Sequence, residues 1–145
     1  MRKIVICGSM AFTKDMVKIK KVLEKRGFKC VLPGGYKDYL IDSLWQKRAT
    51  GWGTLEGAKK KVKLDLIRKY YREIQESDAI LVINFDKNNI KNYIGGNGFL
   101  EMGYAHVLNK KIYLLNPIPK ELKIFYQEIV AMQPKIIKGD LDLIV

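Results

Sequence analysis

Asp78-Ala79-Ile80-Leu81-Val82-Ile83-Asn84-Phe85-Asp86 is the stretch on which the fold turns. Five apolar residues run without alternation from Ala79 to Ile83, which predicts a strand buried on both faces. A polar, Gly-bearing loop follows over 88–97, then a helical pattern from Gly98 to Leu108. Lys111-Ile112-Tyr113-Leu114-Leu115 is the next strand-like run. Strand, helix, strand is a βαβ unit, and such units force parallel pairing with right-handed crossovers.

The same alternation extends in both directions. Lys3-Ile4-Val5-Ile6-Cys7 reads as a first strand ended by Gly8-Ser9. Thr13 is a candidate N-cap for a helix whose apolar face is Met16, Ile19, Val22 and Leu23, with Gly27 as its C-terminal stop. Phe28 to Leu32 is a second strand, broken by Pro33-Gly34-Gly35. Tyr36, Tyr39, Leu40, Leu44 and Trp45 suit a short helix, and Gly51-Trp52-Gly53 suits a loop. One long helical pattern covers Glu56 to Ser77. A last helix over Glu121–Met132 and a fifth strand over Pro134–Lys138 complete the pattern. The expectation is one α/β domain over residues 1–145: a three-layer sandwich with a mostly parallel five-stranded sheet, Rossmann-like or flavodoxin-like.

The chain has 145 residues, enough to hide about two-thirds of its unfolded surface without staples. The opening Met1-Arg2-Lys3 leads into an apolar run too short for a secretory signal, and no run approaches the ~18 residues that span a bilayer. Cys7 and Cys30 stand outside any CxxC or Cys/His cluster, so no metal site is expected and both read as buried thiols. A cytoplasmic protein is the expectation. The net charge of +12 comes almost wholly from lysine spread along the chain, which reads as solvated helix faces. No basic stripe accompanies it, so nucleic acid is an unlikely partner.

Ligands of open parallel sheets bind beyond the carboxyl ends of the strands. Those ends are Gly8-Ser9-Met10, Pro33-Gly34-Gly35, Asn84-Phe85-Asp86 and Asn116-Pro117. Gly8-Ser9 fits either a phosphate cradle or a tight turn that needs glycine. Asn116 fits either a ligand contact or a turn cap. Glu101 stands among Phe99, Leu100, Met102, Ala105 and Leu108. A carboxylate on the apolar side of a helix is costly unless it is paired or used. Near a helix start the dipole favours its ionised form, and an ionised, partly desolvated carboxylate is what a glycosyl-transfer nucleophile needs. A first-turn glutamate that only complements the dipole is the alternative. His106, five residues on, points away from Glu101.

Asp78-Ala79-Ile80-Leu81-Val82, the Gly-rich turn Gly95-Gly96-Asn97-Gly98, Glu101-Met102-Gly103-Tyr104-Ala105 and Lys110-Lys111-Ile112-Tyr113-Leu114-Leu115 together resemble the nucleoside 2-deoxyribosyltransferase superfamily. Ile6-Cys7-Gly8-Ser9 fits it as well. The resemblance implies a flavodoxin-like fold and action on the N-glycosidic bond of nucleosides or nucleoside 5′-monophosphates, by transfer or hydrolysis. It implies Glu101 as nucleophile, with any phosphate on Gly8-Ser9 and nearby lysines; Met10, Asn97, Gly98 and Asn116 are the other expected substrate contacts. Asp86 is the nearest upstream acid for the second catalytic role. The tyrosine usual in the family's first strand is absent near Ile6. No cofactor is implied, and a homo-oligomer is expected. Two other readings stand beside this one: a nucleotide-binding regulatory domain without turnover, and a nucleic-acid-binding protein.

Overall fold

The computed structural model describes residues 2–41 and 55–145. Five strands, β1 (Lys3–Gly8), β2 (Lys29–Val31), β3 (Ala79–Ile83), β4 (Lys111–Leu114) and β5 (Lys135–Ile136), form one all-parallel sheet in the order β2-β1-β3-β4-β5. This is the flavodoxin-like order, in which the succession of strands reverses between β1 and β3. Across that pair, Cys7 stands beside Val82 and Gly8 beside Ile83.

Alternation along the strands sends side chains to two cores. Ile4, Ile6, Leu81, Ile83 and Tyr113 pack with Met16 and Leu23 of α1 (Thr13–Lys25) and with Ile144 near the carboxyl terminus. Val5, Cys7, Ile80, Val82, Ile112 and Leu114 face the other way. They pack against Tyr70 and Ile74 of α4 (Leu66–Gln75), Met102 and Ala105 of α5 (Gly96–Val107), and Ile129 of α6 (Lys123–Ala131). Helices on both faces make the three-layer sandwich that uninterrupted apolar strands require.

Several local expectations change. Thr13 is the first residue of α1 rather than its cap: Ser9 caps a 3-10 turn over Met10–Phe12 that leads into the helix, and the Thr13 hydroxyl donates to the Met10 carbonyl. Gly27 keeps its expected place beyond the helix end, at φ +91°. The long pattern from Glu56 to Ser77 is two helices, α3 (Leu55–Lys63) and α4. Asp65 breaks it in the left-handed conformation at φ 50°, which Asp tolerates better than most residues. Of the region from Tyr36 onward, Tyr36–Ile41 forms the short helix α2. Leu44, Trp45 and the Gly51-Trp52-Gly53 segment lie outside the described residues. No helix among the described residues is long and apolar enough to cross a membrane.

The amino edge of the sheet is tied down by Lys3. Its backbone N–H donates to Asp78 at 2.8 Å, and its ammonium meets Glu73 at 2.6 Å and Glu76 at 3.4 Å, both near the end of α4. Asp78 is thus a tether.

Candidate active site

Two features stand out near the point where the strand order reverses. The first is the turn out of β1. Gly8 sits at φ +147°, and a Cβ there would stand 2.7 Å from the Ile83 carbonyl oxygen. Only glycine permits this close pairing of β1 and β3, so the tight-turn reading of Gly8 has a steric cause. Ser9 then accepts the Ala11 N–H at 3.3 Å, and the same hydroxyl accepts from Lys87 Nζ at 2.8 Å. Lys87 follows β3, so this bond spans the β1/β3 crevice. Its ammonium also lies 5.2 Å from the Tyr93 ring centre, and partial burial lowers its pKa. Nothing in the sequence distinguished Lys87 from the other lysines.

Lys87 opens a tight turn, Lys87-Asn88-Asn89-Ile90, closed by reciprocal backbone bonds of 3.1 and 2.9 Å. Asn88 and Asn89 both have positive φ, the geometry of a type I′ turn. The Asp86 carboxylate accepts the Asn92 N–H at 2.9 Å and so closes the base of this loop. It is exposed, at the carboxyl end of β3.

The second feature is Glu101. It lies in the second turn of α5, and only 4% of its surface is exposed. Its Oε1 accepts from Asn97 Nδ2, one turn earlier, at 3.0 Å. Its Oε2 is buried and receives no conventional hydrogen bond from the described residues. The Cys7 thiol of β1 interacts electrostatically with the carboxyl group, while its S–H donates to the Val5 carbonyl, 4.0 Å away. Tyr70, buried in the same core as Cys7, donates its hydroxyl to the Ile6 carbonyl.

Burial pushes the Glu101 carboxyl up to about 8, because a charge there loses its water. The Cys7 thiol, the Lys61 ammonium on α3 and the Asn97 amide oppose that rise without cancelling it. The sequence-based expectation of an ionised Glu101 is therefore corrected. The helix dipole acts mainly over the first turn, and Glu101 sits past it with one oxygen unsolvated. At neutral pH the group is mostly protonated.

The remaining expected site residues divide. Met10 starts the 3-10 turn beside Ser9. Gly98 is buried in the first turns of α5, where a Cβ would make ordinary contact with Ile94 at 3.6 Å. Asn97 is exposed and holds Glu101. Asn116 is engaged elsewhere: it is bonded to the buried Asn84 across β3 and β4, which favours the turn-cap reading. His106 is exposed in the last turn of α5. Tyr70 belongs to the core, and Tyr71 packs edge-on against Tyr104 with centroids 5.2 Å apart. Among the described residues no cluster of His, Cys, Asp and Glu could hold a metal ion.

Comparison with protein-family models, with curated proteins and with solved structures finds no match to this chain.

Proposed function

We propose that this protein acts on the N-glycosidic bond of a nucleoside or nucleoside 5′-monophosphate, with Glu101 as the nucleophile. The observation that carries the proposal is the buried Oε2 of Glu101, which has no hydrogen-bond partner among the described residues, in a fold whose ligands bind where the strand order reverses. A buried carboxyl oxygen without a partner is expensive, and a ligand or transition state that engages it offsets the cost.

In this reading Oε2 of the ionised group attacks the anomeric carbon. The bond to the base breaks through an oxocarbenium-like transition state, whose positive charge favours the carboxylate. The departing base takes its proton from water. Water or a second base then displaces Glu101 and restores the carboxylate. The Ser9 hydroxyl and Lys87 ammonium supply donor and charge for a 5′-phosphate, if the substrate carries one. Because Glu101 titrates at about 8, the attacking species is a minority at neutral pH. Base release should rise with pH and level off above about 8.

A binding-only reading has one observation in its favour. A protonated Glu101 is both donor and acceptor, which suits recognition of a nucleobase edge without turnover.

The test is chromatography of free bases released from a panel of ribo- and deoxynucleosides and their 5′-monophosphates, with Glu101→Gln and Asp86→Asn in parallel. Release by the wild type, lost in Glu101→Gln, supports the reading. Full release by Glu101→Gln removes Glu101 as nucleophile. Tight nucleotide binding without any product favours the binding-only domain, and affinity for DNA or RNA that falls steeply with salt would favour a nucleic-acid ligand.

A further inference from the structure

Asn97 is the second residue of α5. Asparagine is a weak helix former there and is better suited to the N-cap, which Gly95 occupies without a side-chain bond. The Asn97 amide reaches forward one turn instead, and its Nδ2 donates to Glu101 Oε1 at 3.0 Å. Asn97 is exposed and Glu101 is enclosed, so this bond runs from the surface to a buried carboxyl group.

An amide nitrogen can donate but not accept. The oxygen it meets must therefore accept in both charge states of Glu101. In the neutral acid, Oε1 is then the carbonyl oxygen and the proton sits on Oε2. That is the buried oxygen with no hydrogen-bond partner among the described residues.

We propose that Asn97 is a positioning residue that sorts the two oxygens of Glu101: it holds Oε1 as a permanent acceptor and leaves Oε2 to carry the proton and, once ionised, the attacking lone pair. The inference rests on Glu101 being the nucleophile of the site. Asn97 itself exchanges no proton. Ionisation passes the Oε2 proton to water, the electron pair of the O–H bond stays on Oε2, and the same oxygen then bonds to the anomeric carbon. One atom is thus a donor in the neutral protein and a nucleophile in the ionised one. The amide bonds a carboxylate more strongly than a neutral acid, so it also eases the ionisation.

The other groups that face Glu101 do not sort its oxygens. Lys61 on α3 lends a positive charge. Cys7 of β1 donates to the Val5 carbonyl and Tyr70 of α4 to the Ile6 carbonyl, and burial keeps both protonated. β3, β4 and α6 turn apolar side chains to this core.

The experiment is a pH titration of the Glu101 side-chain carboxyl carbon by NMR, assigned by its absence in Glu101→Gln, in wild type, Asn97→Ala, Asn97→Asp and Asn97→Gln. The substitutions fall on an exposed residue, and alanine is the better helix former, so the fold should persist. Asn97→Ala removes the donor and should raise the ionisation midpoint by roughly half a unit or more. Asn97→Asp sets a like charge beside Glu101 and should raise it further. Asn97→Gln keeps an amide on a longer arm and should bring the midpoint back toward the wild-type value. An unmoved midpoint in Asn97→Ala overturns the proposal. So does a fall, because the amide oxygen would then be accepting the carboxyl proton from Oε1. The titration needs no turnover, so its result is independent of base release. Where base is released, Asn97→Ala should move the pH profile of kcat upward with the midpoint while KM changes little.

Discussion

The side-chain oxygen of Asn84 accepts the Asn116 backbone N–H at 2.8 Å, and the Asn116 amide returns a bond to the Asn84 carbonyl at 3.2 Å. Asn84 Nδ2 also donates to the carbonyls of Asn116 and Pro117, each at 3.1 Å. Both side chains are used up in joining the carboxyl ends of β3 and β4, the floor on which the candidate site stands. Asn84 is wholly buried, and Asn84→Leu removes its bonds to the Asn116 N–H and to the Asn116 and Pro117 carbonyls. Each such bond contributes about 0.5–1.5 kcal/mol. We expect urea unfolding to show a loss of at least about 2 kcal/mol. Asn116→Ala should lose less, since its backbone bonds survive.

Glu101 makes stability depend on pH. Its folded-state value of about 8 lies above the ordinary 4.5. Between those values the folded state therefore binds more protons than the unfolded state. Stability contributed by the protonated group is full below about 4.5 and is lost as pH rises through about 8. The decline should be on the order of a few kcal/mol. Glu101→Gln should flatten this part of the curve, seen as chemical denaturation at a series of pH values. An equal decline in the variant would place its origin elsewhere.

The glycines should respond in opposite directions. Gly8→Ala puts a methyl group against the Ile83 carbonyl at a positive φ, and should destabilise by several kcal/mol or prevent folding. At Gly103, in mid-helix, an added methyl carbon would meet nothing within 4 Å. Gly103→Ala should stabilise by about 0.5–1 kcal/mol through helix propensity and a less free unfolded chain. Thermal melts of the two variants make the comparison.

Neither cysteine should react readily in the folded protein. Cys7 is fully buried and Cys30 is 7% exposed. Burial raises both thiols, that of Cys30 to about 11, and the thiolate is the reactive form. Alkylation followed by mass spectrometry should show slow modification at neutral pH and rapid modification of both in denaturant. Fast labelling of Cys7 under native conditions would contradict its enclosed geometry.

Much of the fold was legible because uninterrupted apolar runs mark strands buried on both faces, and three of them, β1, β3 and β4, recur at βαβ spacing, with the shorter β2 and β5 at the edges. Glu101 was legible for a related reason: it is the one acid in a helix otherwise apolar around it. Its protonation was not, because that depends on what packs against it from β1 and α3. The break at Asp65 was hidden by apolar residues that continue on either side of it. Asn84 and Asn116 read as crevice residues, and only the adjacency of β3 and β4 reveals that they bond each other. Lys87 was one lysine among many until the loop after β3 folded over Ser9.

The alternation of β1 divides the labour of a six-residue ribbon. Positions 4 and 6 are ballast, heard only by the α1 core, while positions 5 and 7 address the layer that carries Glu101. The two vocabularies are separable. Diversifying position 7 alone would disturb the layer that carries Glu101 and spare the α1 core, and a one-residue slip of the strand would exchange the two roles wholesale.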